Sequence, residues 1–282
     1  MADPLRRYLA AQRDLGGDDV ILDEPTPVPP PRAKAVRPAA AAPARPAPVD
    51  AARPAAATPR RASTPVPDGG EAATGWRKGA PAIPGPGLRV VVPPAHPALA
   101  TLEAVATVVA GCTACPLCSG RTLTVPGEGN PAARLMLIGE GPGETEDRTG
   151  RPFVGRAGEL LDKILENIET PRGDVFIANV VKCRPPRNRA PLPDERAACM
   201  PYLHRQIELV RPRVLLALGS TAAEAMLGVK KPLGELRLKV HEWNGIPLVV
   251  TYHPAALLRN PNWKRPAWDD VRIARQLLDL DD

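Results

Sequence analysis

From residue 100 onward, short and wholly apolar runs alternate with stretches whose apolar residues recur at helical spacing. Arg134–Gly139 (RLMLIG), the VFIANVV segment that follows Asp174 and runs to Val181, Val214–Gly219 (VLLALG) and Pro247–Thr251 (PLVVT) read as buried strands, because only a strand covered on both faces is apolar at every position. Between them, Leu102–Ala110 reads as a helix, and Gly158–Ile168 carries Leu160, Leu161, Ile164, Leu165 and Ile168 on one helical face. Pro193-Asp194-Glu195 opens another helix, with Tyr202, Leu203, Ile207 and Val210 on its apolar side; a small-residue helix starts at Thr221, and a last one follows Pro266. Strand and helix in strict alternation predict an α/β fold: a three-layer αβα sandwich with a short, four-stranded, mainly parallel sheet.

Such sheets bind ligands at the carboxyl ends of their strands. The residues expected there are Glu140 after the first strand, Asn179 at the end of the second, Gly219-Ser220 after the third and His253 after the fourth. A carboxylate, an amide and an imidazole arriving at one edge is a chemical constellation rather than ordinary loop polarity. The turn Gly139-Glu140-Gly141-Pro142-Gly143 lacks the Lys-Ser/Thr of a phosphate-binding P-loop and the spacing of a dinucleotide site. Its glycines instead allow a flat ligand to approach the backbone.

Composition changes the picture for the first third of the chain. Most of the 37 prolines precede residue 100, among alanine and arginine. With few large side chains to bury, residues 24–98 are expected to be a disordered or polyproline-like linker. Residues 1–23 would hold a short helix over Pro4–Asp14 with a basic face, and 99–282 the folded domain. The net charge of +6 and pI near 9.3 fit a polyanionic partner and, equally, an ordinary basic surface. No run approaches the roughly 20 apolar residues of a membrane span, and no secretory h-region opens the sequence. A reducing cytosol is therefore expected, where cysteines serve as ligands or free thiols.

Five cysteines are present. Cys112 and Cys115 lie before the first strand, Cys183 follows the second, and Cys199 lies in the next helix; four thiolates suit either zinc or a [4Fe–4S] cluster. Cys118 is expected to be a spare thiol. Lys182, Arg184, Arg187 and Arg189 form a basic loop able to contact phosphates.

The ordered segments GEGPGETED, GRPFVGRAGELLD, ANVVKCRPPRNRAP and YHPAALLRN together resemble the uracil-DNA glycosylase superfamily, specifically its iron–sulfur family 4 branch, over residues 108–278. The resemblance implies a repair enzyme that flips uracil from single- or double-stranded DNA and hydrolyses its N-glycosidic bond. It implies a [4Fe–4S] cluster on Cys112, Cys115, Cys183 and Cys199, with zinc the less favoured occupant. Asn179 would read uracil, Phe153 stack beneath it, and His253 hydrogen-bond to O2. Glu140 and Gly141 would line the pocket; because Gly141 stands where family 1 enzymes carry an aspartate, water positioning would fall to Glu140, to backbone, or to the substrate's own electrostatics along an oxocarbenium-like path. Glu146 would lie beside uracil C5 and exclude thymine's methyl. Leu257 would be the wedge that enters the base stack, and Arg259, Arg184 and Arg187 would hold phosphates. His96, His204 and His241 are expected at the surface. The protein is expected to be a bacterial, nucleoid-associated cytoplasmic monomer whose tail contacts a replication or repair partner. Two other readings are a protein that traps the abasic product, and a recruiting protein with a degenerate core.

Overall fold

The computed structural model describes residues 19–21, 75–96 and 98–280. Among the described residues, eight strands form one sheet: β1 (Asp19–Ile21), β2 (Pro86–Val91), β3 (Glu128–Gly129), β4 (Leu135–Gly139), β5 (Val175–Asn179), β6 (Val214–Leu218), β7 (Val240–Trp243) and β8 (Ile246–Thr251). The helices are α1 (Leu102–Gly111), α2 (Glu144–Thr149), α3 (Arg156–Asn167), α4 (Pro193–Val210), α5 (Ser220–Leu227), α6 (Leu233–Leu236), α7 (Pro254–Arg259) and α8 (Lys264–Asp279). The sheet order is β1-β2-β7-β8-β6-β4-β5-β3. Its middle, β8-β6-β4-β5, is parallel throughout and consists of the four strands predicted from the apolar runs.

The alternation of side chains along these strands builds both outer layers. Met136 and Ile138 of β4 face α1, α4 and α5, joining Val105, Leu203 and Met226 in one core. Leu135 and Leu137 face the other way and pack with Leu161 and Leu165 of α3 and with Val271 and Leu277 of α8. Two successive residues feeding two separate cores is what the two-fold pleat requires, and it yields the three-layer sandwich. β4 pairs with β5 on one side and β6 on the other, so the chain reverses its winding direction between β4 and β6. That crevice is where an open α/β sheet admits a ligand.

The sheet is wider than the four strands expected. β7 runs antiparallel to β8 through the Asn244-Gly245 turn, whose φ values of 45° and 83° are those of a tight hairpin. β3 runs antiparallel to β5 at the far edge. β2 lies parallel to β7, within the segment assigned to the linker. The domain boundary expected at residue 99 is therefore too late: Trp76, Val90 and Val92 are buried, and Asn244 exchanges two hydrogen bonds with the backbone of Val92 (2.7 and 3.0 Å). Residues 24–74 of the linker and the short helix at 4–14 lie outside the described residues.

His241 explains how β2 is held. Its Nδ1 accepts from Leu88 N at 2.9 Å, which puts the proton on Nε2 to donate to Leu236 O at 2.7 Å. It is buried, not on the surface as expected. His204 is buried against Trp243 and its pKa falls to about 4 through desolvation, while His96 is half-buried and stacked on Tyr202. Among the described residues, no helix is long and apolar enough to cross a membrane.

The buried side chains of residues 75–96 give a direct test. A chain beginning at residue 99 is expected to be less stable than one beginning at residue 75 by at least about 3 kcal/mol, the order of magnitude for exposing the partners of a buried tryptophan and two buried valines. Chemical denaturation of the two truncated chains measures the difference.

Candidate active site

At the carboxyl edge of the sheet lies a cleft of about 660 Å³ lined by residues from every predicted strand end: Glu140, Asn179, Gly219-Ser220 and His253. Gly141, Glu146, Phe153 and Arg259 line it too. All six residues predicted to touch the base thus share one cavity.

Its floor is set by backbone register. Gly139 pairs with Asn179 across β4 and β5, bringing the Asn179 side chain over the glycine. A Cβ on Gly139 would stand 2.3 Å from Asn179 Oδ1 and 2.7 Å from two ring carbons of Phe153, so only glycine fits. Asn179 is buried, and its Oδ1 has no hydrogen-bond partner within the protein. A buried acceptor left open in this way is costly for the folded protein and suits a ligand that supplies an N–H.

Phe153 is buried with φ at 49°, a left-handed conformation unfavourable for a bulky residue. Polar clamps on both sides hold it there. Glu146 Oε1 accepts from Val154 N and Gly155 N, each at 2.9 Å. Arg172 donates to Phe153 O (3.1 Å) and Pro152 O (2.6 Å), and pairs with Glu128 and Asp162. Glu146, expected beside the ligand, thus also fixes the loop that presents the ring. Gly158 is equally constrained, since a Cβ there would fall 1.9 Å from Phe153 O.

His253 precedes α7, and its Nδ1 accepts from Ala255 N at 3.1 Å. The ring proton of the neutral form therefore sits on Nε2. Burial, reinforced by the Arg259 charge and opposed by Glu146, lowers the pKa to about 4, so the imidazole is neutral at physiological pH. The ring stands 5.4 Å from Phe153, centroid to centroid. Opposite it, Glu140 Oε2 accepts from Thr221 Oγ1 at 2.5 Å, a contact across the switch point between β4 and β6. Thr221 is a positioning group that sequence reasoning did not single out.

The cleft unites an open amide, an aromatic floor, a neutral histidine and a tethered carboxylate, and the wider comparisons agree with that chemistry. The family model of the uracil DNA glycosylase superfamily matches residues 126–272. The type-4 uracil-DNA glycosylase of Thermotoga maritima is 46% identical over 181 residues, covering 63% of this chain and 94% of its own. The type-4 enzymes of Sulfurisphaera tokodaii (43% identical; 63% and 84% covered) and Archaeoglobus fulgidus (38%; 63% and 93%) match in the same way. The chain belongs to family 4 of the uracil-DNA glycosylase superfamily. The type-5 enzyme of Thermus thermophilus, at 36% identity over 46% of this chain and 68% of its own, is a more distant relative.

Away from the cleft, Cys112, Cys115, Cys183 and Cys199 line a second cavity, as does Cys118. Burial raises the Cys199 thiol to about 12 and the Cys115 thiol to about 11, and raises that of Cys183 as well. Arg121 Nη1 donates to Cys183 Sγ (3.3 Å), Lys182 N to Cys199 Sγ (3.3 Å) and Tyr202 Oη to Cys112 Sγ (3.5 Å). Donors and cations directed at sulfur fit thiolates that share a metal centre. Among the described residues, no group of three or more His, Cys, Asp or Glu side chains is arranged to hold a metal ion.

The DNA-contacting residues read from sequence fare unevenly. Lys182 is fully buried and donates to Asn179 O (2.8 Å) and Gln206 Oε1 (2.6 Å), so it contacts no phosphate; desolvation lowers its pKa to about 8. Arg189 pairs bidentately with buried Glu195 (2.7 and 2.8 Å), and Arg184 meets Asn188 and Glu144. Arg187 and Arg259 are exposed. Leu257 is only 1% exposed and packs with Leu161, Leu165 and Val271, so it is not the exposed wedge expected; its neighbour Leu258 is 40% exposed.

The crowding at Gly139 makes a sharp prediction. In Gly139→Ala the new methyl displaces Asn179 and Phe153, and single-turnover excision of uracil is expected to fall by roughly 100-fold, the scale of losing a positioned group in a catalytic site. Circular dichroism of the same sample should retain the wild-type spectrum.

Proposed function

We propose that this chain removes uracil from DNA by hydrolysing its N-glycosidic bond, releasing free uracil and leaving an abasic site. The observation that carries this reading is the buried, unpartnered Oδ1 of Asn179 at the floor of the cleft. Uracil offers it the N3–H, while the Asn179 Nδ2 donates to O4. Cytosine presents an amino group at C4 and an unprotonated N3, so both contacts would be donor to donor or acceptor to acceptor. Phe153 supplies the stacking face, and Glu146, alongside, limits the room for a methyl at C5.

As the bond breaks, its electron pair leaves with the base and charge gathers at O2, while the sugar acquires oxocarbenium character. His253, whose Nδ1 is occupied by Ala255 N, would donate its Nε2–H to that oxygen in a hydrogen bond that strengthens as charge develops. Water then adds to the sugar carbon and loses a proton. Glu140, tethered by Thr221, would orient that water. Arg259, Arg187 and Arg184 hold flanking phosphates, and Leu258, exposed on α7, replaces Leu257 as the wedge residue.

Cys112, Cys115, Cys183 and Cys199 would hold a [4Fe–4S] cluster, which when bound supplies a covalent tie between the segment before β4, the loop after β5 and α4. We read the enzyme as a cytoplasmic monomer whose N-terminal segment reaches a replication or repair partner.

Two outcomes test this reading. Purified protein should release free uracil catalytically from a uracil-containing single strand; a denaturant-stable adduct without turnover would sink it. Because the His253 pKa lies near 4 rather than 6.5, the single-turnover rate should show no histidine inflection between about pH 5.5 and about pH 8, and His253→Ala should lose at least about 100-fold. Separately, anaerobically purified protein should absorb in the visible and contain about four irons per chain; Cys199→Ser should lose that absorbance, and a colourless, zinc-loaded, active preparation would overturn the cluster assignment.

A further inference from the structure

Trp263 ends the short turn Pro261–Trp263 between α7 and α8 and lines the same cleft as Asn179 and His253. It is 39% exposed, whereas Trp76 and Trp243 are buried and Trp268 is half-buried. In a chain with 3% aromatic residues, a wide indole face left open at the rim of the catalytic cleft is unusual for packing alone.

Its position is fixed by a chain of contacts. The indole stacks on Tyr252 at 4.9 Å with the rings 9° from parallel. The Arg237 guanidinium lies over Tyr252 at 4.5 Å and is itself held by Asp270 (2.6 and 3.0 Å) and Pro266 O (2.7 Å). The turn is closed by Asn260 Oδ1 accepting from Asn262 N and by Trp263 N donating to Asn260 O, both at 3.2 Å. Tyr252 directly precedes His253, so the indole is registered to the histidine through one peptide unit. Arg259, exposed in the same cleft, adds a cation able to meet a backbone phosphate.

We infer that Trp263 is a second stacking platform, taking the nucleobase that flanks the extruded uracil in the DNA strand. Phe153 is not that platform, since it is buried at the floor of the cleft beside His253. A base whose neighbour has been pulled from the stack exposes one π-face, and a rigid indole at the rim replaces the lost stacking without reading sequence. The inference rests on the uracil-excision reading and adds to it a grip on the strand outside the uracil pocket.

The test uses the full-length protein and a short single strand bearing one fluorinated deoxyuridine that resists cleavage. Tryptophan emission of the wild type should be quenched on binding, and Trp263→Phe should abolish most of that quenching while retaining most of the affinity. Trp263→Ala should weaken binding roughly 5- to 100-fold, the range for losing one base–aromatic stack, and uracil release from an ordinary uracil strand at low DNA concentration should fall with it. Equal quenching in wild type and Trp263→Phe, or wild-type affinity in a folded Trp263→Ala, would overturn the inference. A wild type that is quenched yet releases no uracil would instead remove the glycosylase reading and leave the stacking platform standing.

Discussion

The approach of β5 to the end of β4 is the constraint from which the cleft follows. Gly139 and Asn179 face each other in register, and no atom fits between the glycine backbone, the asparagine amide and the Phe153 ring. The Asn179 amide is thereby fixed by the sheet itself and not by a loop. Phe153 cannot relax from its left-handed backbone because Glu146 and Arg172 grip the peptide groups around it. The floor of the cleft is thus held from two directions, by strand pairing below and by polar clamps at the side.

The four central strands were legible because two-sided burial leaves them apolar along their length, with polar residues such as Asn179 and Thr251 only at their carboxyl ends. β7 was not, because VHEW carries His241 and Glu242, whose burial depends on Leu88 and Arg89 of a distant strand. β2 was hidden in proline-rich surroundings, where composition argued against order although Trp76, Val90 and Val92 had partners waiting in α8 and β7. The site residues at the strand ends were legible from the topological rule together with the motifs. Contacts spanning long stretches of sequence, such as Thr221 with Glu140, leave no local trace.

The misplacements have a common origin. Sequence records the charge of Lys182 but not that Asn179 O and Gln206 stand ready to satisfy it in the interior. It records two adjacent leucines at 257 and 258, and a six-residue helix is too short for periodicity to say which one faces α3. The histidines taken for surface residues are polar residues whose partners are backbone atoms or aromatic rings, invisible to any pattern. Trp263 did have a signal, an aromatic residue shortly after Tyr252-His253-Pro254 in a chain nearly devoid of aromatics.

Lys182 touches both halves of the molecule: its backbone N–H meets Cys199 and its ammonium meets the carbonyl of Asn179. With the neighbouring thiols protonated, that ammonium is a buried charge with no anion to oppose it, a frustrated arrangement. Any negative charge that developed on Cys199 would lie beside this ammonium. A single residue therefore ties the wall of the cysteine-lined cavity to the strand end that lines the cleft.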